Sequence, residues 1–408
     1  MGYSDRERAG PADGVRILPF SHATIASLRS DWEDLAASAG DPNVFLEPWF
    51  AQAALEIIAA DEADIAAFLA EGRLIGLVIF ARDASYAHLP LDHYRSHLHA
   101  HQFLATPLVR RGCEGRFAAM LTAWLDSAPA AVSFCRLTHM SEAAAIRSAL
   151  EAYCLGDNRR CDIVHRCHRP AIDASQDADS YLESHISSRR KKRLRRLGRR
   201  LAEMGEVRFE QLQDADQLER WLDEFLTLER KGWKGEEGTA ITCRPGESVF
   251  FRQLAAAAMG RGQLVFSRLT VDGKGVAYAF DLRSADRIFC LKVAYDADFS
   301  RFSPGMQLEF HCLQTFLGDP SIRFVDSCAA SGNTSLEGLW VQSVSIVQMV
   351  VARKGLRYGL PLTAARLLEQ ASAAGARIIR PRQAHRKLSP AMEIPRDMKA
   401  PKGMETRT

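Results

Sequence analysis

The sequence predicts a mixed α/β (α+β) protein of two domains, on three observations. The chain has 408 residues, more than one hydrophobic core organises, and its 47% hydrophobic and 25% charged content is that of a globular protein. Short apolar runs alternate with segments of helical period throughout, and the second half follows the order β-α-α-β-β-β-α-β. One stretch, Ile288 to Leu317, joins a buried strand to a buried helix through a polar loop ending in Ser303-Pro304-Gly305. Pro and Gly at a helix start leave backbone N–H groups open, and with the helix dipole these favour an anion such as a phosphate.

Residues 1–14 are polar and charged and are expected to be disordered, with no secretory signal among them. Val15–Phe20 is a strand, and Thr24–Ser38 a helix with Ile25, Leu28, Trp32 and Leu35 on one face. Trp49–Ala60 is helical. Asp64–Ala70 and Arg73–Ala81 form a hairpin through Glu71-Gly72. A histidine-rich loop and strand fill Leu89–Val109, followed by helix Gly115–Ser127, strand Ala131–Leu137, helix Ser141–Leu155 and strand Cys161–Ile172. These elements make a first domain of residues 15–173.

The second domain, residues 174–352, opens with one helix over Tyr181–Met204, stopped by Gly205. Strand Val207–Leu212 and helices Ala215–Arg230 and Glu247–Arg261 follow. Leu264–Val271, Gly275–Ser284 and Ile288–Tyr295 make a meander, turned first by Asp272-Gly273. After the helix from Met306, a strand over Ile322–Val325 ends at Asp326-Ser327-Cys328. Residues 353–408 are basic, with one weak helix over Leu362–Ala374 and disorder beyond.

Charge is uneven. The net charge is +3, yet nine basic residues and no acid lie within Arg189–Arg200, and the tail from Arg353 has thirteen basic against four acidic. Of the 53 basic and 50 acidic residues, the rest of the chain keeps 31 and 46. A basic helix on an acidic body suits phosphates, RNA or lipid headgroups, or pairs with its own body. No run approaches the roughly 20 apolar residues a membrane span needs. Nine scattered cysteines fit reduced thiols and a cytoplasmic protein.

Particular residues carry a family resemblance. Leu228-Glu229-Arg230-Lys231-Gly232-Trp233-Lys234-Gly235-Glu236-Glu237-Gly238-Thr239-Ala240 is similar to the LExxGWKGxxGTA signature of the CelD-like branch of GNAT acyltransferases, which includes proteins linked to cellulose biosynthesis. Lys292-Val293-Ala294-Tyr295-Asp296, Ser303-Pro304-Gly305, Asp326-Ser327-Cys328-Ala329 and Leu339-Trp340 resemble the branch's later motifs, in order. The first half is similar more loosely, through Phe45, Pro48, Leu74-Ile75-Gly76-Leu77 and Thr106-Pro107-Leu108. Two departures stand out: Ala297 where the branch has Glu, and Ala330-Ser331-Gly332-Asn333-Thr334 where it has an acidic-His-Pro stretch. Fem-type aminoacyl-tRNA-dependent transferases share the paired-domain plan at greater distance.

The resemblance implies two tandem GNAT-like domains, each a mixed, mostly antiparallel central sheet flanked by helices. It implies an acyltransferase that moves an acyl group, acetyl being the expected one, from acyl-CoA to an amine or hydroxyl. The acceptor would be a small molecule or saccharide, in polysaccharide or envelope metabolism. Ser303, Pro304, Gly305, Met306 and Gln307 would hold the donor's diphosphate. Asp326, at a strand end, is the candidate base, or else a turn cap. Lys292, a charge inside an apolar strand, is expected to bind an anion or pair with Asp326 or Asp296. Tyr295 is the candidate acid for the leaving thiolate. Trp233 and Lys234, with Glu229 before them, suit an acceptor lid. RNA on the Arg189–Arg200 helix is the competing donor site, and a non-enzymatic adaptor the third possibility. His97, His99 and His101 alternate along one segment, and Cys161, His165, Cys167 and His168 cluster; neither set has the paired spacing of a structural zinc site, and no metal is expected.

Overall fold

The computed structural model describes residues 13–58, 62–87, 89–232, 237–238, 240–329, 338–355 and 357–367. The first half runs β1 (Gly14–Pro19), α1 (His22–Ala37), α2 (Pro48–Ala54), β2 (Asp64–Ala70), β3 (Arg73–Asp83), β4 (His93–Ser96), β5 (Leu108–Val109), α3 (Glu114–Ser127), β6 (Phe134–Ser141), α4 (Ala145–Gly156) and β7 (Cys161–Asp173). The second runs α5 (Ala178–His185), α6 (Ser188–Ala202), β8 (Val207–Gln211), α7 (Leu218–Lys231), α8 (Glu247–Met259), β9 (Leu264–Val271), β10 (Lys274–Ser284), β11 (Arg287–Tyr295), α9 (Pro304–Gly318), β12 (Phe324–Asp326) and β13 (Gln342–Ala352).

All the strands share one mixed sheet in the order β1-β2-β3-β4-β6-β13-β7-β12-β11-β10-β9-β8, with β5 paired to β3. The order mirrors itself about its centre. Each half steps antiparallel through four strands and then meets one parallel neighbour, β4 with β6 and β11 with β12. At the centre the halves exchange strands. β7 of the first half pairs with β12, and β13 of the second lies between β6 and β7. Strand β13 carries no distinct periodic signal in QSVSIVQMVVA and has no counterpart in the sequence-based order.

Helices cover both faces. One face carries α1, α2, α7 and α8 over a core shared by both halves, in which Phe50 and Phe250 meet edge to face at 5.8 Å. The opposite face carries α3 and α4 over the first half and α5, α6 and α9 over the second. The single helix expected over Tyr181–Met204 is two, because Ile186 turns extended and Ser187 caps α6 by accepting from the Arg190 N–H. The side-chain cap ends one helix and starts the next. The helix expected to Ala60 ends at Ala54, and residues 357–367 are helical at the start of the segment expected from Leu362. No helix among the described residues is long and apolar enough to cross a membrane.

Candidate active site

The site is built on β11. Its first three residues pair in parallel with β12, Arg287 to Phe324, Ile288 to Val325 and Phe289 to Asp326. Beyond Phe289 no strand among the described residues continues on that edge, because β12 stops at Asp326. There Cys328 adopts a left-handed φ of 50° and donates its N–H to Asp326 Oδ1 at 3.0 Å, while the Ser327 N–H turns to the Pro170 carbonyl at 3.2 Å. The two strands therefore part beyond Phe289.

A β-bulge sits at the parting. Phe280 pairs with Lys292 and Asp281 with Cys290, so Leu291 is the extra residue. A bulge shifts side-chain alternation by one, and here Cys290 packs under α9 while Leu291 and Ala294 join the shared core. Lys292 shares the face of Ala294, toward α7 and α8. Val293 and Tyr295 face α9 instead: a Cβ on Gly305 would lie 3.2 Å from Tyr295 Cδ1 and 3.7 Å from Val293 Cγ1.

The helix expected to hold a phosphate starts after Ser303, whose φ and ψ of 54° turn the chain into α9. No side chain caps it, and Pro304 occupies its first turn. Gln307 folds back to donate Nε2 to the Phe302 carbonyl at 2.8 Å, which braces the loop. Its Oε1 lies 3.1 Å from where a Cβ on Gly198 would stand, so α6 packs against this first turn. Along α6 an open groove of about 880 Å³ is lined by Ser188, Lys191, Lys192, Arg195, Gly198 and Arg199. Leu194, Leu197 and Leu201 are buried beneath it, which turns the basic side chains outward. Among the described residues Lys192, Arg195 and Arg199 make no ion pair. Lys191 donates Nζ to the Leu182 carbonyl at 3.1 Å.

Asp326 is 2% exposed and lies on the face shared by the two halves. Its Oδ2 accepts from Arg169 Nη2 of β7 at 2.5 Å, and Arg169 also donates to the Phe103 carbonyl at 2.7 Å. Burial works against the Arg169 charge, but Asp326 outweighs it and holds the guanidinium above its ordinary range. Asp296 is engaged too: it caps a 3₁₀ turn by accepting from the Asp298 N–H and pairs with Lys274 at 3.2 Å. Of the partners expected for Lys292, Asp326 pairs with Arg169 and Asp296 with Lys274. Tyr295 is half exposed beside Gly305. Glu229, buried at the end of α7, accepts the Ile241 N–H at 2.9 Å and so anchors the far end of the loop that follows. Trp233 and Lys234, expected in that loop, lie outside the described residues.

Arg169, His101 and Glu247 escaped the sequence-based site. His97, His99 and His101 do not present three imidazoles to one ion. His97 N–H bonds the Ile79 carbonyl, His99 lies between Phe50 and Phe250, and His101 Nε2 is 2.9 Å from Glu247 Oε2. Burial pushes His97 down to about 4 and His99 well below the usual imidazole value. Among the described residues, no three His, Cys, Asp or Glu side chains group as they would around a metal ion.

The C-terminal domain of a putative lysylphosphatidylglycerol synthetase from Agrobacterium fabrum is similar in structure, with TM-score 0.50 and 13% identity, over 85% of this chain and 98% of that one. FemX is similar with TM-score 0.51 and 10% identity, over 79% of this chain and 95% of that one. At these identities the likeness is one of fold. No curated protein matches the chain by sequence. Residues 188–331, which span α6, the parted strands and the start of α9, match the model of the acetyltransferase (GNAT) domain, and this match supports an acyltransferase in general.

Proposed function

We propose that the protein transfers an acyl group, acetyl in the first instance, from acyl-CoA to an amine or hydroxyl acceptor. The observation that carries this is the parting of β11 from β12 beyond Phe289, next to a helix start that no side chain caps. An extended donor arm with amide groups can enter where the two strands part. The donor's diphosphate meets the amides of Gly305 and Met306, where the helix dipole favours negative charge. Lys191, Lys192, Arg195 and Arg199 supply countercharge from α6 across Gly198.

The roles follow from position. A strand rises about 3.3 Å per residue, so Tyr295 lies about 13 Å from the bulge at Leu291. It belongs with the phosphate end of the donor, whereas Lys292 stands where the thioester would enter. Asp326 braces β12 against β7 through Arg169, and Asp296 braces the phosphate loop. The acceptor approaches from the α7 and α8 face, as a small molecule or a saccharide; an origin in polysaccharide or envelope metabolism rests on the CelD-like motifs alone.

Calorimetric titration with acetyl-CoA tests this. Binding is expected for the wild type. The Lys191→Gln, Lys192→Gln, Arg195→Gln, Arg199→Gln variant loses four exposed contacts at about 0.5 kcal/mol each, and binds about thirtyfold more weakly. No heat at millimolar acetyl-CoA overturns the proposal. The open groove lined by Lys191, Lys192, Arg195 and Arg199 favours an aminoacyl-tRNA donor as the second reading. That reading takes over when acetyl-CoA gives no heat and tRNA binds with a steep salt dependence that the same variant abolishes.

A further inference from the structure

We infer that His101 and Glu247 form the acid–base pair that takes the proton from the acceptor, on the face of β11 opposite α9. The inference rests on the acyltransfer proposed above and adds its proton-handling group.

The pair joins the two halves. His101 comes from the loop between β4 and β5, and Glu247 is the first residue of α8. Gly246 before it has φ 77°, and a Cβ there would overlap the Glu56 carbonyl oxygen, so the start of α8 is set tightly on the end of α2. Glu247 and Phe250 lie three residues apart and present carboxylate and ring to the same side. The imidazole stacks on Phe250 at 5.4 Å and 13° and meets the edge of Phe251 at 4.9 Å. Its side chain is 3% exposed and that of Glu247 6%.

The chemistry of the two groups settles the tautomer. Glu247 sits at a helix N-terminus, 3.3 Å from Arg244 and 2.9 Å from His101 Nε2, and these two neighbours hold its carboxyl below the usual range despite burial. An ionised carboxylate only accepts, so the ring proton is on Nε2 and Nδ1 keeps a lone pair. Nδ1 is buried with no hydrogen-bond partner, and Nε2 and Glu247 Oε2, 2.9 Å apart, are buried and have no partner other than each other. A buried polar atom left unpaired costs about 1–3 kcal/mol, a cost that a bound acceptor removes. The groups facing the ring are Glu247, Lys292, Arg244 and, on its own loop, His99. Burial, and then the Lys292 charge, keep the imidazole neutral at neutral pH, as a base must be. Phe250, on which the ring stacks, lies in the core that Leu291 and Ala294 of β11 join.

In the reaction the acceptor's lone pair attacks the thioester carbonyl carbon, and its proton passes to His101 Nδ1. Glu247 holds the imidazolium. The C–S bond then breaks, the thiolate leaves with the electron pair, and the imidazolium returns the proton to it.

Nitrogen NMR of protein labelled at histidine is the first test. His101 is expected to carry its proton on Nε2 at neutral pH, with that preference lost in Glu247→Gln; a proton on Nδ1 overturns the pair whether or not the protein binds acetyl-CoA. The second test follows thiol release from acetyl-CoA with hydroxylamine as the probe acceptor. His101→Gln is expected to lose about a hundredfold in kcat with KM for acetyl-CoA unchanged. In Glu247→Gln the basic group's limb of the pH–rate profile moves to lower pH, because the carboxylate that supports the imidazolium is gone. Where His101→Gln fails to fold, Glu247→Gln carries the decision. An unchanged kcat in the first variant or an unmoved limb in the second overturns the inference, whereas absent acetyl-CoA binding overturns the donor alone.

Discussion

Asp326 and Arg169 meet at 2.5 Å across β12 and β7, both buried, and tie the last core strand of the second half to the exchanged strand of the first. This ion pair stands where β11 and β12 part. Neither residue can lose its partner without leaving a charge or a carboxyl in the core.

Asp326→Asn is therefore expected to destabilise the protein by about 3–5 kcal/mol, measured by urea unfolding. The asparagine oxygen can still accept the Cys328 N–H, so the loss isolates the charge. Combining it with Arg169→Met is expected to cost less than the single change, since no buried charge then remains unpaired. Additive losses would mean that the pair contributes nothing as a pair.

Gly246 has φ 77° and no space for a Cβ against Glu56. Gly246→Ala is expected to cost about 2 kcal/mol or more, from the left-handed backbone and the overlap together. The thermal midpoint should drop, and the His101 resonances should shift with it, because the displaced helix start carries Glu247. A midpoint equal to the wild type's would mean that α8 is free to move away from α2.

Glu309, in the second turn of α9, is pushed up to about 7 by burial, and the neighbouring Asp281 is raised well above the carboxylate range by burial and by Glu309 itself. Between the ordinary glutamate value and 7 the folded state holds more protons than the unfolded chain. Stability from this site is thus full below about 4.5, falls as pH rises through 7, and is level above it. Glu309→Gln has no such proton to lose. Its thermal midpoint relative to wild type should rise between pH 4.5 and 7.5; a constant difference across that range would refute the buried acid.

Much of the second half was legible without the fold. Ser303-Pro304-Gly305 marked the entry to α9, and Asp272-Gly273, now at φ 49° and 75°, marked the β9–β10 hairpin, because turn chemistry is local. The break at Ser187 was hidden by a continuous helical stripe of leucines, which outweighs one capping serine in any periodic pattern. Arg169 falls within the strand expected over Cys161–Ile172, and His101 is one of a histidine run. Their partners are remote in sequence, and only packing shows that each is buried against a carboxylate.

What the residues alone determined is the set of elements and the chemistry of their joints: hairpins where Gly and Asp allow positive φ, a helix opened by Pro, a basic face on a leucine stripe. These depend on neighbours within a few positions. Only the tertiary structure decided that β7 and β13 trade places, that β12 stops three residues into its pairing with β11, and that His101 of one half rests on Glu247 of the other. Such contacts bring together segments far apart along the chain, and burial of the shared core, rather than any local preference, selects them.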